Sequence, residues 1–369
     1  MGRIVSVVGT RPEVIKMAPV ILALRAAGHE APLLVTAQHR HLLDQMLAVF
    51  GLTPDWDLDI MQANQGLEAL TARMVPALSA LFAEHRPDLV MAQGDTATVF
   101  CAALSAFYSR LPFAHVEAGL RSGDLASPFP EEGLRRLTSQ ITALHFAPTE
   151  LARQQLLGEG LKDATVHVVG NTVIDALLAT AGCPDLPLLE GLGEGPLALV
   201  TLHRRENFGA PLVRILGGLR RLALAHPELT LVYPVHPNPH VLGPARAHLG
   251  DLPNVRLPEP LAYPEMVAHL KRCHAVYTDS GGLQEEAPAL GKPVLVFREV
   301  TERPEAVAAG GVTLVGSDPD RFLAQARALL EDPGHYAAMA QPRFPYGDGQ
   351  AGARIAAVVT RSLGSPSWP

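Results

Sequence analysis

The segment from Thr278 to Val294, TDSGGLQEEAPALGKPV, places Asp-Ser-Gly-Gly between an apolar run and a stretch typical of the start of a helix. The N-terminus of a helix presents free N–H groups and a partial positive charge, and glycines let an anion come close to them. The turn therefore suits a phosphate group. Glu285 and Glu286 would repel a phosphate, but a carboxylate can accept hydrogen bonds from the hydroxyls of a ribose. The segment predicts a site for a nucleoside diphosphate.

Carboxylates follow apolar runs at several points in the first half of the chain. Asp95 stands in QGDT, Glu117 in HVEAG, and Glu131 and Glu132 in FPEEG. An aspartate after a strand is often only a helix N-cap, and the helix dipole favours glutamates in a first turn. A long polar loop such as residues 115–136 is nevertheless a common feature of functional sites. The pattern favours acid/base chemistry, with helix capping as the alternative interpretation.

Basic and imidazole side chains follow other apolar runs. Arg11 and Lys16 lie in GTRPEVIK, His203 in TLHRREN, His236 in YPVHPNP and Arg303 in TERPE. Guanidinium and ammonium groups at such turns suit a diphosphate or a carboxylate, and histidine can carry a proton or donate to phosphate. Ordinary surface charges and structurally satisfied histidines are the alternative interpretation.

The sequence lacks the common motifs of metal and cofactor chemistry. It contains no GxGxxG, GxxxxGKS/T, HExxH or GxSxG pattern, and its three cysteines form no CxxC pair. We therefore expect no metal and no cofactor. Proton transfer on a nucleotide-linked substrate is the chemistry that remains.

Length and charge narrow the class of protein. The chain has 369 residues, of which 48% are hydrophobic and 18% charged, and this size accommodates two domains. The formal net charge of −7 gives no general attraction to nucleic acid or to an anionic membrane. There is no signal-like apolar core at the N-terminus, and no apolar run is long enough to cross a bilayer. We expect a cytoplasmic protein without nucleic-acid or membrane partners.

Short β-type runs alternate with longer helical segments, which predicts parallel sheets covered by helices. Strands are expected at 4–8, 31–36, 87–92, 113–116, 143–147 and 165–169, and then at 197–201, 230–235, 255–257, 275–278, 294–297 and 313–315. A Gly- and Pro-rich linker is expected at 182–196. The predicted fold class is α/β, with two Rossmann-like doubly wound domains, 1–170 and 171–350, facing a cleft. The polar clusters named above all follow expected strands, where such sheets bind ligands.

Several longer motifs run collinearly from Gly9 to Ala351: GTRPEVIKMAPV, TAQHRHLLDQ, HVEAGLRSGD, FPEE, GNTVID, HRREN, DSGGLQEEAPALGKPVLV, TERPEAV and PYGDGQA. These motifs resemble those of the bacterial non-hydrolysing UDP-N-acetylglucosamine 2-epimerases. The resemblance implies the architecture of the B-type glycosyltransferases, with segment 351–369 forming a helix that packs back on the first domain. It also implies a homodimer that interconverts UDP-GlcNAc and UDP-ManNAc.

The family reaction implied by the resemblance is an elimination followed by a re-addition. UDP leaves C1 while C2 loses its proton, which gives 2-acetamidoglucal, and UDP then adds back as the other face of C2 is protonated. Asp95, Glu117 and Glu131 match the acid/base positions, although the order in which they act stays open. His203 matches a catalytic position that meets phosphate or the leaving oxygen.

The resemblance also assigns binding residues. The substrate- and UDP-binding positions match Arg11, Lys16, Ser280, Gly281, Gly282, Glu286 and Arg303. In this assignment the glycines receive the diphosphate and Glu286 receives the ribose hydroxyls. Some members bind UDP-GlcNAc at a second, activating site, and the matching positions are Gln38, Glu132, Arg205 and His236.

Other functions remain as alternatives at this point. A glycosyltransferase of the same architecture would share the nucleotide site but would not need all three carboxylates. A catalytically silent nucleotide-sugar sensor would bind without turnover. A hydrolysing epimerase would release free ManNAc and UDP.

Overall fold

The structure is a computed structural model that describes residues 1–36, 40–60 and 65–364. Within these ranges the chain divides into two compact units. The first unit consists of Met1–Leu178 and the C-terminal segment from Tyr346, and the second unit consists of Ala179–Pro345. Each unit contains one parallel sheet with alternating helices, so the predicted α/β fold class is confirmed.

The sheet of the first unit is built from seven described strands. They are Ile4–Val8 (β1), Leu33–Val35 (β2), Trp56–Asp57 (β3), Leu89–Gln93 (β4), Phe113–Val116 (β5), Leu144–Ala147 (β6) and Val166–Val168 (β7). Their order is β3-β2-β1-β4-β5-β6-β7, and every described pairing is parallel. The strand order reverses between β1 and β4, which is the point where doubly wound sheets bind ligands.

The described helices of the first unit follow its strands. They are Arg11–Ala26 (α1), Arg40–Val49 (α2), Leu67–His85 (α3), Ala97–Tyr108 (α4), Glu131–Gln140 (α5), Glu150–Gly158 (α6) and Thr172–Ala181 (α7), which extends past Leu178, and a short 3-10 turn covers Asp163–Thr165. The last helix of the chain, Ala351–Leu363, packs on α1. Gly352 permits this approach, because a Cβ atom there would lie 2.8 Å from the carbonyl oxygen of Pro19.

The sheet of the second unit has six described strands. They are Leu197–Thr201 (β8), Thr230–Val232 (β9), Val255–Arg256 (β10), Ala275–Thr278 (β11), Val294–Val296 (β12) and Val312–Leu314 (β13). Their order is β10-β9-β8-β11-β12-β13, again with parallel pairing. The order reverses between β8 and β11, so the second unit has its own ligand-binding edge at the ends of these two strands.

Helices and buried apolar side chains complete the second unit. The described helices are Ala210–Ala225 (α8), Pro239–Leu249 (α9), Tyr263–Arg272 (α10), Gly281–Ala289 (α11), Pro304–Ala308 (α12), Pro319–Glu331 (α13) and Pro333–Met339 (α14); the C-terminal helix Ala351–Leu363 is α15. Its core places strand residues such as Val200 and Tyr277 against Leu216 and Phe322 of the helices. Burial on both faces explains the continuous apolar runs of these strands.

The strands predicted from the sequence did not include one short edge strand, and some of them were predicted too long. Trp56–Asp57 forms β3 at the edge of the first sheet, and two residues are too few to show an alternating pattern. The predicted strand 230–235 ends at Val232. Residues 182–196 contain neither helix nor strand. In the described part of the chain, none of the helices is long and apolar enough to span a membrane.

Candidate active site

In the first unit, the turn after β1 brings a basic side chain to the turn after β5. Arg11 is the first residue of α1 and is exposed. Lys16, one turn further along α1, forms a salt bridge with Glu117, which directly follows β5. The backbone of Glu117 has a φ of 63°, in the left-handed region that is costly for a residue other than glycine. The structure therefore brings two predicted site residues, Lys16 and Glu117, into direct contact.

Asp95 lies in the turn after β4, between Gly94 and the N-cap residue of α4. It does not cap the helix itself, because the capping oxygen belongs to Thr96, which accepts from the N–H of Val99 at 3.5 Å. Instead, Nη2 of Arg135 donates to Oδ2 of Asp95 at 2.5 Å. The Asp95 side chain is 27% exposed. The geometry therefore removes the capping interpretation for Asp95 and leaves part of its carboxylate open to solvent.

Glu131 and Glu132 begin α5 and have opposite surroundings. Oε2 of Glu131 is buried and has no hydrogen-bond partner within residues 1–36, 40–60 and 65–364. The side chain of Glu132 is fully buried and accepts from the N–H of Ser122 at 3.0 Å and from Nε of Arg136 at 3.0 Å. Arg135 lies 3.5 Å away and bridges Glu132 to the Asp95 turn. Glu131 therefore has an oxygen available for chemistry, whereas Glu132 organises the loop before α5.

The ionisation of Glu132 agrees with this structural role. Burial acts to raise its pKa, but the N–H of Ser122 and the guanidinium groups of Arg136, Arg121 and Arg135 outweigh burial and lower the pKa below its ordinary value. Glu132 is therefore a carboxylate whose charge is already balanced within the first unit.

In the second unit, Asp279 joins the turn after β11 to the turn after β8. Its side chain is fully buried and accepts from the backbone N–H of His203 at 3.1 Å and of Arg204 at 3.0 Å. Nδ2 of Asn207 donates to the same carboxylate at 3.0 Å. The segments HRREN and DSGG follow β8 and β11, which are neighbours in the sheet. The hydrogen bonds of Asp279 hold these two segments together.

Two guanidinium groups approach the N-terminus of α11. A Cβ atom on Gly281 would lie 3.4 Å from Nη2 of Arg204 and 3.7 Å from Nη2 of Arg303. Nε of Arg204 is buried, and no described residue forms a hydrogen bond with it. Gly281 does not have the positive φ that would require glycine. What matters is its lack of a side chain, because a Cβ atom would occupy the space between the helix N-terminus and the two guanidinium groups. A helix N-terminus with two arginines is suited to a diphosphate.

Three further residues of this turn, Ser280, Gly282 and Glu286, lie close to one another. Oε2 of Glu286 would be 3.4 Å from a Cβ atom on Gly282, and the Ser280 hydroxyl would be 3.9 Å from it. The neighbouring Glu285 is buried and forms a salt bridge with Arg303. The two adjacent glutamates are therefore divided in role: Glu285 balances Arg303, and Glu286 lies beside the glycine turn.

Both predicted histidines lie on the second unit. Nδ1 of His203 is 3.5 Å from Oδ1 of Asp279, and the imidazole is 40% exposed. Burial lowers the pKa of His203, the charge of Asp279 opposes this, and Arg204 and His236 add to the lowering. His236 is exposed, and its Nδ1 accepts from the N–H of Asn238 at 3.1 Å. Asp279 and His236 both influence the pKa of His203, so the three side chains lie close together.

The residues predicted for an effector site fall in different settings. Gln38 lies outside the described residues. Arg205 and His236 are exposed on the second unit, whereas Glu132 is buried on the first. No group of three or more His, Cys, Asp or Glu side chains within residues 1–36, 40–60 and 65–364 is arranged to hold a metal ion.

Three residues that organise these sites were not in the predicted set: Arg135, Arg204 and Asp279. Arg204 directly follows His203 and Asp279 directly precedes Ser280, whereas Arg135 lies three residues after Glu132 in the polar segment 115–136. Their partners are distant in sequence: Arg135 is 40 residues from Asp95, and Asp279 is 76 residues from His203. Sequence spacing alone gives no signal for such pairs.

Comparisons with known proteins place these features in a family. The model of the family described as UDP-N-acetylglucosamine 2-epimerase matches residues 22–360. The chain belongs to this epimerase family. The resemblance noted in the sequence is thereby confirmed.

Individual relatives cover nearly the whole chain. A UDP-N-acetylglucosamine 2-epimerase of Salmonella typhimurium is 48% identical over 364 residues, which are 96% of this chain and 97% of the relative. The crystal structure of a UDP-GlcNAc 2-epimerase from Neisseria meningitidis, bound to UDP-GlcNAc, is 42% identical with a TM-score of 0.89 and covers 97% of this chain and 100% of that chain. An S. aureus MnaA–UDP co-structure is 41% identical with a TM-score of 0.87, covering 99% and 97%.

One further structural similarity concerns the fold alone. A glycosyltransferase of kitacinnamycin is 17% identical and has a TM-score of 0.67 over 98% of this chain and 99% of that chain. The expected likeness to glycosyltransferase architecture is therefore confirmed as a likeness of fold. The expectation of an enzyme is confirmed separately, by the epimerase family model and the full-length relatives.

Proposed function

We propose that this protein catalyses the reversible C2 epimerisation of UDP-GlcNAc to UDP-ManNAc. The observation that carries the proposal is the buried Oε2 of Glu131, which has no hydrogen-bond partner among the described residues, in a unit that also presents Asp95 and Glu117 at the ends of β4 and β5. Removal and return of a proton at one carbon need such carboxylates. Relatives of similar length carry UDP-N-acetylglucosamine 2-epimerase in their names, which supports the choice of substrate.

The proposed reaction proceeds by elimination and re-addition. A carboxylate of the first unit takes the proton from C2, a C1=C2 double bond forms, and the C1–O bond breaks with its electron pair leaving on UDP. The intermediate is 2-acetamidoglucal. UDP then attacks C1 through its terminal phosphate oxygen while a carboxylic acid delivers a proton to the other face of C2. Asp95, Glu117 and Glu131 are the proposed acid/base residues.

The second unit is proposed to hold the nucleotide and to stabilise the leaving diphosphate. Arg204, Arg303 and the free N–H groups at the start of α11 supply positive charge where negative charge develops. His203, fixed by Asp279, is proposed to donate to the leaving oxygen. Glu286 is proposed to accept the ribose hydroxyls.

The test is a time course of UDP-GlcNAc and purified protein in D₂O, followed by proton NMR. We expect UDP-ManNAc to accumulate and deuterium to enter at C2 of both sugars. Free ManNAc with UDP as final products would indicate a hydrolysing enzyme. Turnover that requires an added acceptor would indicate a glycosyltransferase, and binding without any turnover would indicate a sensor. Each of these three results would overturn the proposal.

We also propose a homodimer, as the family resemblance implies. Exposed aromatic rings of Phe107 and Tyr108, whose centroids are 6.2 Å apart, supply an apolar surface at the end of α4. Sedimentation equilibrium should give twice the mass of 39.3 kDa. A monomer across the micromolar range would contradict this part of the proposal.

A further inference from the structure

Glu13 is a buried carboxylate in the turn after β1. Its residue surface is 2% exposed. Oε2 accepts from the backbone N–H of Gly9 at 2.5 Å and of Thr10 at 3.1 Å. Oε1 accepts from the hydroxyl of Thr96 at 2.7 Å. Three donors therefore converge on one side chain that has no place in the proposed reaction.

Helix capping accounts for only part of this arrangement. In a capping box, a glutamate at the third helical position accepts from the N-cap N–H, and Oε2 of Glu13 does so for Thr10. The other oxygen instead reaches Thr96, which is 83 residues away and caps α4. One carboxylate thereby ties together the N-termini of α1 and α4, the helices that follow the neighbouring strands β1 and β4.

The two tied turns carry two residues of the proposed site. Arg11 lies two positions before Glu13, and Asp95 directly precedes Thr96. Asp95 is held from its other side by Arg135. The bond between Glu13 and Thr96 therefore limits how far the turn with Arg11 can move relative to the turn with Asp95.

We propose that Glu13 is a positioning residue, whose ionised carboxylate sets the placement of Asp95 relative to Arg11 through the hydroxyl of Thr96. The inference rests on the proposed epimerisation, because that reaction gives Asp95 its role. Glu13 itself makes and breaks no bond of the substrate.

The charge state of Glu13 matters because all three partners donate. The Thr96 hydroxyl donates to Oε1 of Glu13 and accepts from the N–H of Val99. Protonation turns one carboxylate oxygen into a donor, so it weakens either the bond from Thr96 or the bonds from Gly9 and Thr10. Burial raises the pKa of Glu13 to about 7, the hydrogen bonds oppose this, and the like charge of Asp95 adds to it. Lys16, the nearby cation of α1, is engaged with Glu117. The link is therefore expected to weaken as pH falls through neutrality.

Three substitutions test the link. Glu13→Gln reproduces the protonated shape, Thr96→Val removes the donor, and Thr96→Ser keeps the hydroxyl. We expect kcat to fall by about tenfold or more for Glu13→Gln and for Thr96→Val, since a small misplacement of a reacting group is costly. The Kd for UDP should change less than twofold, and Thr96→Ser should stay near the wild-type rate. The loss of kcat below about pH 7 should disappear in Glu13→Gln.

A double variant separates the link from two independent effects. If Glu13 acts through Thr96, Glu13→Gln combined with Thr96→Val should be no slower than the slower single variant. Multiplying losses, or an unchanged pH profile in Glu13→Gln, would overturn the inference. Should Glu13→Gln fail to fold, the two Thr96 variants test the inference instead. Equal kcat values for Thr96→Val and Thr96→Ser would then overturn it.

A measurement without substrate keeps this inference separate from the proposed function. The side-chain carboxyl carbon of Glu13 can be titrated by ¹³C NMR in the free protein. Thr96→Val should raise the pKa of Glu13, because the Thr96 hydroxyl stabilises the ionised form. An identical titration in wild type and Thr96→Val would refute the link in an active enzyme. Failure of the wild type to turn over UDP-GlcNAc would instead refute the proposed function.

Discussion

Nη2 of Arg135 lies 2.5 Å from Oδ2 of Asp95. The guanidinium comes from α5, the helix that begins with Glu131, so this ion pair connects the start of α5 to the turn after β4. Arg135 also lies 3.5 Å from the buried carboxylate of Glu132. A single arginine thus fixes the orientation of one proposed acid/base residue and the helix that carries another.

Removing the carboxylate of Asp95 or of Glu131, two of the three proposed acid/base residues, should abolish most turnover without weakening nucleotide binding. We expect Asp95→Asn and Glu131→Gln each to lower kcat by about a hundredfold or more, the usual scale for loss of a general acid or base. Kd for UDP, measured by titration calorimetry, should stay within about twofold because the residues proposed to stabilise the diphosphate, Arg204 and Arg303, lie on the second unit. Near wild-type rates in both variants would show that the assignment of these carboxylates is wrong.

Substitutions of the adjacent residues Glu131 and Glu132 should have different effects on catalysis and on stability. Glu132→Gln leaves Arg135 and Arg136 facing an amide instead of a carboxylate, so it should lower the free energy of unfolding by about 3 kcal/mol, as for other broken buried ion pairs. Glu131→Gln should change this free energy by less than about 1 kcal/mol, because Oε2 of Glu131 has no partner to lose in the described part of the chain. Urea denaturation of both variants measures the difference. Equal midpoints would contradict the roles given to the two residues.

Arg204 should contribute to nucleotide affinity although its motif gave no reason to prefer it over Arg205. Arg204→Met should weaken UDP binding by about 1.5–3 kcal/mol, roughly ten- to a hundredfold in Kd, as for the loss of a charged hydrogen-bond donor. Arg221→Met is the matched control, because Arg221 is exposed on α8 and pairs at the surface with Asp320. Equal Kd values for the two variants would show that the approach of Arg204 to Gly281 has no part in binding.

The fold was readable from the sequence because the strands are buried on both faces. The runs at β1, β8 and β11 are mostly apolar and buried throughout, and the polar clusters start where these strands end. Their parallel arrangement then places several clusters at one edge of each sheet. The short edge strand Trp56–Asp57 carries no such run, and the sequence therefore missed it.

The partners within each site were not readable in the same way. Glu131 and Glu132 are neighbours of identical type, and only the loop from Ser122 and the side chains of α5 make one buried and paired. Glu13 looks like an ordinary capping residue until its second oxygen is seen to meet Thr96. Such roles depend on contacts between turns that follow different strands, and no local pattern encodes them.

His115 on β5 should make the protein less stable in acid. Its Nε2 donates to the carbonyl of Gly94 at 2.7 Å, and its buried Nδ1 has no hydrogen-bond partner among the residues that the structure describes. Burial lowers the pKa of His115 from 6.5 to about 3, so between these values the unfolded chain binds a proton that the folded protein refuses. The free energy of unfolding should therefore fall as pH drops from 6.5 towards 3, by at most about 1.4 kcal/mol per pH unit from this group. His115→Gln keeps a donor for Gly94 and should flatten the dependence measured by urea denaturation, whereas His240→Gln at an exposed position should not. Parallel curves for wild type and His115→Gln would show that His115 accepts its second proton while folded.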